Sequence, residues 1–189
     1  MKAIDRLAAN WVYGGFLCAF VLFALTPLIA ASTSLALVLV YLQLPVYQVH
    51  QYEEHDQDRF RLFVNGLFGA EVLSLNAVLV INFFGVWVLN TLSILMAAFW
   101  NIGFGLIAVY LTLINGLIHL AQAIALRRSN PGLFTSLLLF MPLGSYALIE
   151  VSKQEACRWP HHLLGLVIII GLHGWIVLYG KQQLQRQRG

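Results

Sequence analysis

Residues 11–31 read WVYGGFLCAFVLFALTPLIAA, an apolar stretch without a charged side chain. At about 1.5 Å per helical residue, such a stretch reaches across the ~30 Å hydrocarbon core of a bilayer. It also exceeds the ~15-residue core of a signal peptide, so we expect a retained span. Similar tracts fill the rest of the chain, which is 60% hydrophobic and 10% charged. The sequence therefore predicts an all-α, polytopic transmembrane helix bundle.

Polar breaks between the apolar tracts predict about six spans within a single transmembrane domain, residues 1–189. The clearest breaks are residues 32–34, the polar run 51–59 and the turn signal at 127–132. A further turn is expected within 82–93, where Gly and polar residues interrupt an apolar tract. The predicted spans are residues 11–31, 35–52, 60–83, 94–126, 133–151 and 161–180.

The basic residues predict the orientation of these spans. If the N-terminus is cytoplasmic and the chain crosses six times, nine of the 11 Lys and Arg residues face the cytoplasm. Only Lys153 and Arg158 face the other side. This distribution follows the positive-inside rule and places both termini in the cytoplasm. The net charge of +3 is small, so it does not indicate a nucleic-acid partner.

Ionisable side chains within the apolar tracts are costly in a bilayer and therefore mark candidate functional positions. Glu71, His119 and His173 each lie eight to ten residues from the basic residues that end their spans, or roughly 12–15 Å inside the cytoplasmic edge. His50 is expected near the same level at the end of the second span. The sequence therefore predicts one polar cluster in the cytoplasmic half of the bundle.

The spacing in His50-Gln-Tyr-Glu53-Glu54 predicts a metal site. Residues at i, i+3 and i+4 share one helix face, so an imidazole and a carboxylate can bind the same cation. Imidazole and oxygen ligands without a thiolate favour zinc or iron, in a site of one or two ions. Glu53 is a further ligand or a catalytic general base. The predicted ligands are His50, Glu53, Glu54, Glu71, His119 and His173, with Asn115 and Gln122 as outer partners of His119.

Each of these positions also has a simpler interpretation. The turn from His50 to Glu54 can be a solvated helix end, and His119 can be a histidine hydrogen-bonded within the bundle. Glu71 can be a protonated acid bonded to Asn76, and His173 can pack beside Trp175. Under this interpretation, Asn130 simply caps the helix that follows Pro131 and Gly132.

The same residues carry a family resemblance. The chain resembles the HXXEE family of small bacterial integral membrane proteins, through His50-Gln-Tyr-Glu53-Glu54, the downstream His119, and the pair Pro131-Gly132. Arg128 stands where the family pattern has a tyrosine. The resemblance covers roughly residues 45–145 and implies a bacterial inner (plasma) membrane protein. It points to a site without naming a reaction.

Two functions fit these features. The first is a membrane metalloenzyme acting on a lipid-like or small apolar substrate, by metal-assisted hydrolysis or, with a di-iron site, by oxidation. The alternative is a proton- or ion-coupled transporter that uses the buried Glu and His residues as a relay. A scaffold role comes third, because no soluble partner-binding region is evident.

Overall fold

The computed structural model describes residues 2–188, and within this range the chain forms helices and turns without a β-strand. The predicted all-α class is confirmed. Met1 and Gly189, the ends of the predicted 1–189 domain, lie outside the described residues. We number the helices α1 (Ala3–Ser32), α2 (Leu35–His55), α3 (Arg59–Phe68), α4 (Leu75–Phe99), α5 (Ile102–Leu126), α6 (Leu133–Ser152) and α7 (Trp159–Arg188).

Five of these helices, α1, α4, α5, α6 and α7, are long and apolar enough to cross a membrane. Helix α2 has 21 residues, which at about 1.5 Å per residue also matches the thickness of a bilayer. Its sequence is less apolar because its buried positions include Gln43, Gln48, His50, Gln51 and Glu54. The bundle therefore has five helices with an apolar spanning sequence and a sixth, α2, whose polar residues face protein.

Helices α2 and α5 form the centre of the bundle. In the apolar 18-residue stretch of α5, 56% of the residues are buried, whereas the corresponding fraction is 11% in α1 and in α7. Helix α2 packs against α1, α4, α5 and α6, whereas α7 packs mainly on α5. Side chains such as Leu17 and Phe20 on α1 and Ile170 on α7 are largely exposed, as expected for lipid-facing positions. Polar groups on α2 and α5 are thereby shielded on several sides.

The third crossing differs from the prediction. The sequence predicted a span over 60–83, a turn within 82–93 and a span over 94–126. The structure instead has a continuous helix at Leu75–Phe99, containing a π-helical segment at Phe83–Val88. The turn comes later, at Trp100 and Asn101, where the Asn101 side chain accepts a hydrogen bond from the Gly103 backbone N–H at 2.8 Å.

Two polar residues that suggested a turn lie within α4 and donate hydrogen bonds to backbone carbonyls. The Asn90 Nδ2 amide donates to the Val86 carbonyl at 3.0 Å, and the Ser93 hydroxyl donates to the Phe104 carbonyl at 2.8 Å. The break in the predicted span 60–83 lies upstream of α4. Helix α3 ends at Gly69, which has a left-handed φ of +63°. The Asn65 side chain then binds both the N–H and the carbonyl of Leu73 at 2.9 Å, which holds the chain in a non-helical turn.

The differences between the predicted and observed helix boundaries lie between Arg61 and Arg127. No basic residue changes side, so nine Lys and Arg residues still lie on one side of the bundle and two on the other. Helix α3 is a short helix between the end of α2 and the start of α4. Gln57 and Asp58 precede it with φ of 54° and 62°, and this left-handed turn reverses the chain after α2. Cytoplasmic termini remain a prediction from the sequence.

A buried amide network joins α2 to α4. The Trp87 indole N–H donates to Gln51 Oε1 at 2.6 Å, and Gln51 Nε2 donates to Asn82 Oδ1 at 2.8 Å. Asn82 in turn donates to the Val78 carbonyl at 2.9 Å. Each donor in the chain has an acceptor, so the network holds α4 against the end of α2 that carries the HisXXGluGlu motif.

This network predicts that substitutions at two buried glutamines of α2, Gln51 and Gln48, will differ in their effect on stability. Gln51→Leu leaves the Trp87 indole N–H and Asn82 Oδ1 without partners, and we expect it to lower the free energy of unfolding by about 1–3 kcal/mol. Gln48→Leu is the matched control, because Gln48 is also buried and its Oε1 has no partner. Thermal unfolding in detergent should show a lower Tm for Gln51→Leu only. Equal Tm values for the two variants would contradict a stabilising role for the network.

Candidate metal centre

Two helices bring three potential ligands together. His50 and Glu54 lie one turn apart on α2, and His119 faces them from α5. One donor atom from each residue lies within 4.8 Å of the others, and all three side chains are buried. His50 Nε2 is 3.5 Å from Glu54 Oε2, and His119 Nε2 is 3.5 Å from Glu54 Oε1. The single carboxylate therefore faces both imidazoles, one through each oxygen.

Glu53, the other acid of the motif, points to a different neighbour. Its Oε1 accepts from the Phe134 backbone N–H at 3.1 Å, and its Oε2 accepts from the Thr135 N–H at 2.7 Å. Oε2 also accepts from the Thr135 hydroxyl. These N–H groups belong to the first turn of α6, where a carboxylate satisfies free donors and complements the helix dipole. Glu53 thus fastens the start of α6 to α2.

This placement differs from the role predicted for Glu53. Sequence spacing made it a ligand or a general base, but both of its oxygens are engaged by α6. These hydrogen bonds connect Glu53 to the first turn of α6, and its role as a ligand or general base stays a prediction. The side chains of Glu53 and Glu54 diverge because adjacent residues of a helix point about 100° apart. Glu53 therefore faces α6, whereas Glu54 faces His119 of α5.

The hydrogen bonds of Asn130 define the tautomer of His119. Asn130 Nδ2 donates to the His119 backbone carbonyl at 2.8 Å, which turns Asn130 Oδ1 toward the imidazole. His119 Nδ1 lies 2.9 Å from that oxygen, so Nδ1 carries the proton and donates it. In the neutral imidazole, the other ring nitrogen, Nε2, then directs its lone pair toward Glu54.

The same reasoning applies to His50. The Thr135 hydroxyl donates its proton to Glu53, so its oxygen can accept from His50 Nδ1, which is 2.8 Å away. His50 Nε2 is buried and has no hydrogen-bond partner of its own. Carboxylate, hydroxyl and imidazole therefore form a relay that orients the ring. Such outer hydrogen bonds are typical of metal-bound histidines.

The three inward-facing groups are suited to a cation. Two imidazole lone pairs and a carboxylate repel one another in a low-dielectric interior unless positive charge lies between them. A tetrahedral ion with bonds of 2.0–2.1 Å separates neighbouring ligand atoms by about 3.3–3.4 Å. Each imidazole Nε2 lies 3.5 Å from a different Glu54 oxygen, which is close to that edge, and one donor atom from each of the three residues lies within 4.8 Å of the others. In the described part of the chain, this is the one group of three or more His, Cys, Asp or Glu residues with such geometry.

Gly132 closes the site from the side of the loop. Its φ is +94°, and a Cβ placed there would lie 2.7 Å from His50 Cε1 and 2.8 Å from His119 Cε1. Both rings therefore contact the Gly132 backbone directly. The Pro131-Gly132 pair, which the sequence suggested was simply a turn, forms a wall of the site.

Two predicted ligands lie outside the group. Glu71 falls in the non-helical segment after α3, where its side chain is 62% exposed and pairs with Arg61 at 3.1 Å. A hydrogen bond with Asp58 raises the pKa of Arg61, so its guanidinium remains charged beside both acids. His173 is half-buried on α7, and its Nδ1 lies 2.9 Å from the Ile169 carbonyl. The depth estimate for Glu71 assumed a continuous helix, and the break at Gly69 removes that assumption.

The predicted outer partners of His119 have other contacts. Asn115 Nδ2 donates to the Tyr47 hydroxyl at 2.7 Å, and neither Asn115 nor Gln122 hydrogen-bonds His119. Both line a cavity of about 190 Å³ that begins at Glu54 and His119. His173 lines the same cavity. Its walls come from α2, α4, α5 and α7, together with Phe60 of α3 and Leu73.

Four residues of the site were missed as site residues in the sequence. Asn130 and Gly132 come from the α5–α6 connection, and Thr135 comes from the first turn of α6. The fourth, His55, is buried with its Nε2 3.1 Å from Glu54 Oε2. His55 belongs to a charged run that resembles a solvated loop, but Trp11 and Phe60 cover it, with ring centroids 5.1 and 5.3 Å away. The Pro-Gly pair was the one available signal for this connection.

The fold and site define an all-helical bundle with candidate membrane-spanning helices and a buried His/Glu/His group. The chain belongs to the family described as "Protein of unknown function with HXXEE motif", which matches residues 41–147, more than half of the chain. The family resemblance predicted from the motif is thereby confirmed. No curated protein and no solved structure matches the chain. The matched region extends from α2 into α6 and contains every residue of the site described above.

Two glycines with left-handed backbones allow a direct test of Gly132. Gly132→Ala should weaken zinc(II) binding at least tenfold, because the added methyl collides with both imidazoles. Gly69→Ala is the matched control: its φ is +63°, but a Cβ there has no heavy atom within 4 Å. We expect both variants to lower Tm through backbone strain. Titration of metal-free protein with zinc(II) should separate them, and equal zinc(II) affinities would contradict the role of Gly132 as a wall.

Proposed function

We propose that this chain is an integral-membrane metalloprotein whose resident ion is held by His50, Glu54 and His119. The supporting observation is that both imidazoles direct Nε2 at one buried carboxylate, and in the neutral rings these nitrogens carry lone pairs. Their Nδ1 atoms are already bound to Thr135 and Asn130. Without a cation, this arrangement would bury electron-rich groups against one another at a considerable energetic cost.

Zinc or iron suits this set of ligands. Two imidazoles and one carboxylate occur in catalytic zinc sites and in non-haem iron oxygenases, and both kinds keep an open coordination position. Neither cysteine contributes a thiolate, since Cys18 is exposed on α1 and Cys157 lies in the α6–α7 connection. A single group of ligands in the described chain favours one ion over the dinuclear alternative.

An enzymatic role follows from the cavity beside the site. Glu54 and His119 line it, so the open coordination position is expected to face this space. A bound zinc would supply an activated water for hydrolysis, and a bound iron would supply oxidation chemistry. The predicted general base Glu53 is engaged by α6. His55 lines the cavity beside Glu54. We therefore assign the role of general base to His55, whose imidazole is able to hold and move a proton.

A lipid-like or apolar substrate agrees with the position of the site. The cavity lies among helices of membrane-spanning length, and several of its lining residues are aliphatic: Val78, Ile81, Val86, Leu111, Ile118, Leu172, Ile176 and Val177. We therefore retain the lipid-like substrate, and a bacterial inner membrane with cytoplasmic termini, as parts of the proposal.

The geometry favours a metal over the alternative of a proton relay. A proton shared between an imidazolium and a carboxylate gives charge-assisted hydrogen bonds of about 2.7–2.9 Å. The Nε2 atoms of His50 and His119 both lie 3.5 Å from Glu54, and their Nδ1 atoms already have acceptors as partners. His55 Nε2 is nearer to Glu54, at 3.1 Å, but His55 is not one of the three proposed ligands. A transporter would instead show pH-dependent flux in liposomes that survives removal of metal.

Elemental analysis of purified protein tests the proposal. We expect about one zinc or iron per chain, reduced at least tenfold in His50→Ala, Glu54→Gln and His119→Ala, because each variant removes a ligand. Glu71→Gln and His173→Ala are matched controls outside the ligand group and should retain the ion. Retention of metal in all three ligand variants, or no stoichiometric metal in the wild-type protein, would contradict the proposed site.

A further inference from the structure

The cavity changes in character from one end to the other. Along α5, its lining runs from Gln122 and His119 through Asn115 to Leu111. Eleven helical residues cover roughly 16 Å, so the polar end and the apolar end are well separated. At the apolar end, Leu111 is joined by Gly85 and Val86 of α4 and Leu172 of α7. A ligand that fits both ends has one polar terminus and a hydrocarbon body.

A groove on the outer surface meets the cavity between α4 and α7. The groove and the cavity share Ile81, Gly85 and Leu172 as lining residues. The outer rim carries the exposed apolar side chains Phe84 and Trp175. Apolar exposure at mid-helix faces hydrocarbon in a bilayer. The groove therefore lies on the path from the bilayer to the apolar end of the cavity.

Gly85 and Leu172 form the narrow point of this path. A Cβ at Gly85 would lie 3.2 Å from Leu172 Cδ1, so the Leu172 side chain packs on the bare backbone of Gly85 and closes the gap between α4 and α7 until its rotamer changes. Gly85 also lies in the π-helical segment Phe83–Val88, a type of distortion that is frequent at functional sites. The gap is thus bounded by a flexible leucine on α7 and bare backbone on α4.

We propose that one hydrocarbon chain of a membrane amphiphile enters the cavity between α4 and α7, past Gly85 and Leu172, with its oxygen-bearing end directed toward Glu54 and His119. This inference rests on the proposed function for the role of that polar end. The cavity volume of about 190 Å³ is below the ~300 Å³ at which pockets enclose whole small molecules. The cavity therefore holds only part of the chain, and the remainder extends through the gap into the bilayer.

Thiol labelling in proteoliposomes tests this route. The background is Cys18→Ser with Cys157→Ser. Ile118→Cys then places a thiol in the cavity, and Leu117→Cys places one on the exposed side of the same helix turn. The probes are dodecyl methanethiosulfonate, which partitions into bilayers, and a charged trimethylammonium methanethiosulfonate. We expect the dodecyl reagent to modify both thiols, and the charged reagent to react at position 118 at least tenfold more slowly.

Blocking the gap should act on the cavity thiol alone. Gly85→Leu is expected to slow dodecyl labelling at position 118 at least tenfold and to leave position 117 unchanged. Leu172→Trp narrows the same gap from α7 and gives an independent result. Gly171→Leu is the matched control, because a Cβ at that exposed glycine meets no atom within 4 Å.

The route is overturned if neither blocking variant slows the cavity thiol, or if the charged reagent labels it as fast as the dodecyl reagent. Repeating the labelling in His50→Ala separates the two proposals. If Gly85→Leu also slows dodecyl labelling at position 118 in the His50→Ala background, the route is supported even if the metal assignment fails. If Gly85→Leu does not slow dodecyl labelling at position 118 while the wild-type protein still binds metal, the route is refuted and the metal site stands.

Discussion

The carboxylate of Glu54 organises the site, because the imidazoles of His50 and His119 direct their Nε2 atoms at it in the interior of the bundle. Each Nε2 lies 3.5 Å from one of its oxygens, and all three side chains are removed from solvent. Such a cluster is stable when a cation occupies its centre and costly when it does not. The surrounding helices and the α5–α6 connection can be understood as the structure that keeps these three groups in place.

The motif acts through a division of labour between its two acids. Glu54 faces the imidazoles, whereas Glu53 binds the first turn of α6 and through Thr135 orients His50. The α5–α6 connection contributes the other supports, with Asn130 on His119 and Gly132 against both rings. The HisXXGluGlu motif and the Pro-Gly pair are therefore two halves of one site, joined by hydrogen bonds between α2 and the start of α6.

Much of the architecture followed from the sequence, and the exceptions have physical reasons. Apolar length and the polar breaks gave the helical bundle, but Asn90 and Ser93 suggested a turn because their partners, the Val86 and Phe104 carbonyls, are visible only in three dimensions. Helical spacing selected the turn from His50 to Glu54, yet could not tell which acid faced which neighbour. Glu71 was placed too deep because the helix ends at Gly69. His55 was not identified as a site residue because it lies in the polar run 51–59, and its covering residues, Trp11 and Phe60, lie on other helices.

X-ray absorption at the zinc edge tests the central claim most directly. Protein reconstituted with one equivalent of zinc(II) should give nitrogen and oxygen ligands at about 2.0–2.2 Å and outer-shell scattering from two imidazole rings. His119→Ala should remove the scattering of one ring. Failure to retain zinc, a first shell containing sulfur, or a spectrum without imidazole scattering would contradict a metal centre built on His50, Glu54 and His119.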